Sequence, residues 1–68
     1  MFDKSKIPIN VDFSAVDLAN QFYPNSIRYD TEGRLCNKAT PTVTRLLRKT
    51  RGVLEVQGKH LIFWYERL

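Results

Sequence analysis

Residues 40–51 read Thr40-Pro41-Thr42-Val43-Thr44-Arg45-Leu46-Leu47-Arg48-Lys49-Thr50-Arg51, and Gly52 follows them. The pattern predicts a short helix. Thr40 is the expected N-cap, because its hydroxyl can accept from a free backbone N–H of the first turn. Pro41 then falls at the first helical position, where a missing N–H is harmless and the fixed φ suits a helix. Gly52 is the expected stop. Val43, Leu46 and Leu47 stand at i, i+3 and i+4 and so share one face. At about 100° per residue, Arg45, Arg48 and Lys49 centre on the opposite face, with Thr42 and Thr44 on its flanks. Any small amphipathic helix presents a charged outer face. A merely solvated one, however, usually mixes Glu with Lys or Arg in i,i+4 pairs. Here no Asp or Glu occurs between Gly33 and Leu54.

Downstream, Gly52–Leu68 predicts a β-hairpin. Val53-Leu54-Glu55-Val56 and Leu61-Ile62-Phe63-Trp64-Tyr65 are rich in strand formers, and Gln57-Gly58-Lys59 supplies a turn glycine. A two-residue loop at Gln57-Gly58 or Gly58-Lys59 puts Leu54, Val56, Leu61 and Phe63 on one face, the expected core. Val53, Glu55, Ile62 and Trp64 then share the other face. That second face is too apolar to be wholly solvated. Either the N-terminal strand or a helix covers it, or Val53, Ile62 and Trp64 form an interface with a second copy or another protein.

Upstream, Ser14–Tyr23 predicts a first helix. Ser14 with Asp17 makes a variant capping box, and Ala15, Leu18, Ala19 and Phe22 line its core face. Pro24 ends it, with Asn25 and Ser26 in the turn. Residues 1–11 read as irregular chain or a short strand. Ile7-Pro8-Ile9-Asn10-Val11 suits an edge strand, where Pro8 is tolerated, and that strand can join the C-terminal hairpin. Ser26–Lys38 admits two readings. One is a short helix over Asp30–Cys36, capped by Asp30 or Thr31. The other is a hairpin of Ile27-Arg28-Tyr29 and Arg34-Leu35-Cys36 about a turn at Asp30-Thr31-Glu32-Gly33. Gly33 suits the turn and is poor in a helix interior.

The 68 residues make one small domain, 1–68, with a limited core. A hydrophobic fraction of 43% is enough for folding. No stretch has the length and apolar character of a membrane span or a signal peptide, so the expected location is the cytoplasm. Cys36 is the only cysteine and His60 the only histidine, so neither an internal disulfide nor a zinc site is expected. Cys36 is read as a small, partly buried apolar residue. Charge is unevenly placed. Residues 1–33 carry Lys4, Lys6 and Arg28 against Asp3, Asp12, Asp17, Asp30 and Glu32, a net −2. Residues 34–68 hold eight cations against Glu55 and Glu66, a net +6. A basic half of this kind presents itself to a polyanion, and nucleic acid is the commonest one.

No catalytic constellation is legible: one His lacks a nucleophile and an acid at supporting spacing. The glycines at 33, 52 and 58 are separate turn residues rather than a phosphate loop. No cofactor, metal or small-molecule effector is expected, and the chain is not read as an enzyme. A helix followed by a hairpin has the order of a recognition helix and its wing. The expected fold class is therefore α+β, a small winged helix-turn-helix domain on duplex DNA. In that reading Thr42, Arg45 and Lys49 meet base edges and phosphates in the major groove. Thr40 and Thr44 contact phosphate, aided by the helix N-terminus. Arg48 and Arg51 lie toward the flanking backbone, Lys59 and His60 at the wing tip, and Arg34 and Lys38 on the opposite strand.

Ala39 to Lys49, continued by Val53 to Phe63, resembles the recognition helix and wing of winged helix-turn-helix domains of the catabolite-activator type. Those carry a small polar residue, a Thr-Val step, an Arg followed by two aliphatics, and a hairpin with Gly-Lys or Gly-Arg at its tip. The resemblance covers about the last thirty residues. It implies DNA contact by Thr42, Arg45 and Lys49 and a wing role for Lys59. Two departures stand out: Glu32-Gly33 replaces the aliphatic-alanine pattern of the preceding helix, and the link from helix to wing is shorter. The expected function is a small DNA-binding regulator or architectural accessory factor, as a homodimer or with cooperative neighbours on DNA. Its size is that of proteins from phages and mobile elements. The alternative is a protein-interaction module or inhibitor that docks an acidic partner through the basic helix or the apolar hairpin. A third reading is an RNA-binding component that stacks bases on Phe63, Trp64 or Tyr65.

Overall fold

The computed structural model describes residues 2–66. Met1, Arg67 and Leu68, the last two at the end of the expected C-terminal hairpin, lie outside the described residues. Strand β1 (Asp12–Ser14) leads into helix α1 (Ala15–Phe22). A hairpin of β2 (Ile27–Tyr29) and β3 (Leu35–Asn37) follows, then helix α2 (Thr40–Lys49), then a second hairpin of β4 (Val53–Glu55) and β5 (Ile62–Tyr65). The fold is α+β, with two α-helices among the described residues and two antiparallel sheets, β1-β5-β4 and β2-β3.

The first helix forms as its sequence predicts. Ser14 Oγ accepts from the Val16 and Asp17 backbone N–H groups at 3.1 and 3.4 Å. Ala15, Leu18 and Ala19 are buried, and Phe22 packs at the edge of the core. The strand that joins the C-terminal hairpin is displaced from the expected 7–11 to Asp12–Ser14, which pairs with Trp64–Ile62. Ile7 instead turns into the core, and Asn10, at φ 59°, donates its N–H to the Tyr65 carbonyl. Asparagine tolerates that left-handed backbone better than most residues.

The stretch before α2 takes the hairpin form, and the helical alternative over Asp30–Cys36 is not adopted. The deciding residues are Gly33 and Asp30. Gly33 sits at φ 80°, the left-handed position after a turn at Thr31-Glu32. Asp30 Oδ1 accepts from the Glu32 and Arg34 N–H groups, both at 2.9 Å. The carboxylate that was a candidate helix cap thus organises a hairpin loop.

The C-terminal hairpin has a longer loop than expected, and this turns β4 over relative to β5. Val53 pairs with Tyr65, Leu54 with Trp64 and Glu55 with Phe63. Val56 donates to the Ile62 carbonyl, so 57–61 is a five-residue loop. An odd loop length shifts the register by one and turns one strand over; β4 flips, while Phe63 stays on the core face and Ile62 and Trp64 on the other, as expected. Phe63, with Phe13 beside it, is the buried face (Phe63 1% exposed), and Val53 and Tyr65 pack at its edge. Leu54, Ile62 and Trp64 share the outer face, where Leu54 is 59% exposed. Val53 therefore leaves the expected interface, and Leu54 takes its place beside Ile62 and Trp64.

Helices α1 and α2 pack against each other over the Phe63 side of the sheet, through Leu18, Ala19, Val43 and Leu47. Asn37, the last residue of β3, ties this layer to the β2–β3 hairpin. It is buried, and its Nδ2 donates to Asn20 Oδ1 at 2.9 Å and to the Tyr23 carbonyl at 3.1 Å. Its Oδ1 accepts from the Ala39 N–H at 2.8 Å. No described helix is long and apolar enough to cross a membrane.

Candidate nucleic-acid interface

Helix α2 begins one residue earlier than its sequence suggests. Ala39 is the cap, Thr40 is the first helical residue, and no side chain makes the cap bond. Asn37, reaching forward to the Ala39 N–H, supplies the local anchor that was expected of Thr40. The packed face of α2 centres on Val43, Thr44 and Leu47, with Leu46 only half-buried. Thr44 becomes 6% exposed and lies on the packed side with Val43 and Leu47, so it is absent from the outer basic face. The Oγ1 atoms of both Thr40 and Thr44 are buried without a hydrogen-bond partner. An unpaired buried hydroxyl costs about 1–3 kcal/mol. At the other end, Thr50 is the C-cap and its hydroxyl donates to the Leu46 carbonyl at 2.8 Å.

The exposed side of α2 carries Thr42, Arg45, Arg48 and Lys49, as expected. Arg51 follows in the exposed turn, and Lys38 precedes the helix, also exposed. Their electrostatic states differ. Arg48 Nε donates to Glu55 Oε1 of β4 at 2.6 Å, so its charge is partly answered. Lys59 Nζ lies 3.5 Å from Asp12 Oδ2 of β1. Arg34 holds Asp30 Oδ2 at 2.9 Å and Glu32 Oε1 at 3.0 Å. Lys38, Arg45, Lys49 and Arg51 have no ion pair among the described residues, nor does the exposed His60. The expected basic surface thus divides into a cationic face on and beside α2 and three cations already engaged elsewhere.

Two hollows flank Thr40. One, of about 490 Å³, runs along α2 between Thr40, Thr44, Arg45, Arg48, Lys49 and Leu61. The other, of about 510 Å³, lies between the β2–β3 hairpin and the 57–61 loop and includes Arg34, Cys36, Thr40 and His60. Leu61 separates them at φ 56°, an unusual backbone for leucine that turns the chain back toward α1, where its carbonyl accepts from the Ala15 N–H at 3.0 Å. Cys36 is half-buried, with Sγ 3.9 Å from Asp30 Oδ2.

One cation near α2 has no signal in the local sequence. Lys4, on the first short 3₁₀ turn, lines a hollow with Leu46, Lys49 and Thr50. Its neighbour Asp3 is occupied: its carboxylate accepts from the Ser5 hydroxyl at 2.8 Å and N–H at 3.0 Å, which holds its pKa below the usual range. Forty-odd residues of chain separate Lys4 from Lys49, so only tertiary packing brings them together.

The molecule is thus a small α+β protein with, among the described residues, two α-helices, two antiparallel sheets and a cationic helix face. No protein-family model, curated protein or solved structure matches it.

Proposed function

We propose that this chain binds duplex DNA through the outer face of α2, with the β4–β5 hairpin alongside as a wing. The observation that carries the reading is the set Lys38, Arg45, Lys49 and Arg51, four exposed cations on and beside one helix with no carboxylate partner among the described residues. Thr42 lies on the same exposed side and adds a hydroxyl donor. In this frame the β2–β3 hairpin stands where a winged helix-turn-helix domain has its preceding helix. Arg45 and Lys49, one turn apart, meet base edges and phosphates in the major groove, and Arg51 and Lys38 reach phosphates at either end. Lys59 and Arg34 contribute less, because contact with DNA requires them to leave their carboxylates.

The test is anisotropy of a labelled random duplex at two salt concentrations. Four phosphate contacts predict a slope of about −3.6 for log K against log salt. The Arg45→Ala/Lys49→Ala double variant is expected to lose most of the binding while keeping its unfolding midpoint. Absence of binding at low salt in the unaltered chain sinks the reading. A second reading, a protein-docking module, draws on the outer sheet face of Leu54, Ile62 and Trp64, which neither helix covers. It predicts that a Trp64→Ala change abolishes partner capture or self-association and leaves DNA binding intact.

A further inference from the structure

The hollow along α2 combines features that a solvated basic helix does not need. Thr44 is buried, lines the hollow, and its hydroxyl has no partner. Thr40, one turn earlier on the same wall, is half-buried, and its hydroxyl is likewise shielded without a partner. A helical threonine ordinarily satisfies itself on the carbonyl four residues back. Thr50 of this chain does so on Leu46, while Thr40 and Thr44 do not. Unpaired buried groups in native proteins call for a reason, and a ligand is one.

Arg45, Arg48 and Lys49 line the same hollow. Glu55 engages Arg48 through Nε and leaves its two Nη groups for another acceptor. The N-terminal half of this ten-residue helix adds positive potential from its free N–H groups. Pro41 and Leu61 wall the hollow with apolar surface, which strengthens electrostatic attraction by lowering the local dielectric. These groups are nearly all donors. Their natural complement is a compact oxyanion with several acceptor oxygens in a tetrahedral array.

We infer that this hollow seats a single phosphate group, held by Arg45, Arg48 and Lys49, with Thr40 and Thr44 rotating about χ1 to donate their hydroxyls to it. The inference rests on the nucleic-acid reading for its biological ligand, a backbone phosphodiester, but a free phosphomonoester offers the same chemistry. The Thr44 hydroxyl is kept unpaired in the empty state because the ligand is its partner. Stability is thereby exchanged for affinity at this position.

The test uses the full chain and inorganic phosphate, followed by amide NMR shifts and thermal unfolding, with chloride at equal ionic strength as the control. Saturable shifts at Thr44, Arg45 and Arg48 and a phosphate-dependent rise in Tm are expected. Thr44→Val removes only the hydroxyl. It is expected to raise Tm without phosphate by about 4 °C or more and to weaken phosphate binding about tenfold, as for one lost hydrogen bond to a charged group. Arg45→Gln, on the surface, is expected to weaken phosphate binding without a change in Tm. Shifts no larger than those with chloride, or a Thr44→Val protein that binds phosphate as well as the parent, overturn the inference. A duplex with 5′-hydroxyl ends separates the sources. If it competes with phosphate at the same amides, the seat takes the backbone. If phosphate saturates the seat and the duplex leaves those amides unmoved, the seat stands as a phosphomonoester site and the DNA reading fails.

Discussion

Gly52 and Asn37 each do something that no other residue type does at their positions. Gly52 sits at φ 94°, and a Cβ built there meets the Glu66 carbonyl oxygen at 2.8 Å and the Tyr65 ring at 3.1 Å. Its own carbonyl accepts from the Glu66 N–H at 2.9 Å, which extends the β4–β5 ladder. Gly52→Ala therefore combines left-handed strain with a backbone clash, and a loss of about 2 kcal/mol or more is expected in urea unfolding. An unchanged midpoint would contradict this account of the turn. Asn37 joins β3, α1 and the start of α2 through three hydrogen bonds in a buried setting. Asn37→Ala takes their partner from the Ala39 N–H and the Asn20 Oδ1, and about 2–3 kcal/mol of destabilisation is expected by the same measurement. Neither role was fully legible in the sequence. The glycine after a basic helix was readable as a stop, but its contact with Glu66 required knowing that the hairpin folds back on it. The asparagine carries no local signal of its role, because its partner Asn20 lies seventeen positions away.

At the scale of elements, the β2–β3 hairpin depends on one carboxylate. Asp30 accepts backbone bonds from Arg34 and Glu32 and pairs with the Arg34 side chain, and these contacts hold its pKa below the ordinary carboxylate value. The ordinary value is about 3.9, so the contribution of Asp30 is complete above it and disappears only as pH falls through the lower, folded value. Cross-strand NMR contacts between Tyr29 and Leu35 are expected to persist down to about pH 4 and to fade below it. Their loss near neutral pH, in a chain that otherwise stays folded, would remove Asp30 as the cause. A second element-scale link joins α2 to β4 through Arg48 and Glu55, side chains that are both more than half exposed. An exposed pair of this kind stabilises by about 0.2–1 kcal/mol at most. Glu55→Gln is therefore expected to leave the unfolding midpoint nearly unchanged and to raise DNA affinity, because Arg48 no longer shares its charge with a carboxylate. A Glu55→Gln protein that binds DNA no better would argue that Arg48 points away from the ligand.

At the scale of the molecule, a core of eight buried apolar residues carries the fold among the described residues. For 68 residues the total stability is about 3–10 kcal/mol. Phe63 is stacked on Phe13 with ring centroids 6.2 Å apart and is almost fully buried. Phe63→Ala is expected to remove about 3–5 kcal/mol, enough to leave the chain largely unfolded by circular dichroism. Leu54→Lys, on the outer face of the same sheet, is expected to stay within about 0.5 kcal/mol of the parent. The reverse pattern would mean that the loop-shifted register of β4 and β5 is wrong. Both helices pack on the Phe63 side, so the basic face of α2 and the apolar outer face of the sheet are separate surfaces. Binding to a polyanion and docking of a protein can therefore be abolished independently.

By itself the sequence determined both helices, the two C-terminal strands and the basic character of α2, because those depend on local spacing, on Pro24 and on Ser14. It also limited the stretch before α2 to a helix or a hairpin, with Gly33 pointing to the hairpin. Only the tertiary structure decided which faces became core. Five loop residues instead of two turned β4 over relative to β5, moved Val53 inward and exposed Leu54. Packing of α2 on the core buried Thr44, which the spacing had placed at the flank of the basic face. Pairing with distant carboxylates separated Arg34, Arg48 and Lys59 from the unpaired cations, and packing brought Lys4 beside Lys49. Local periodicity is set by bonds between near neighbours. Register, burial and ion pairing are set by residues that meet only after the chain has closed on itself.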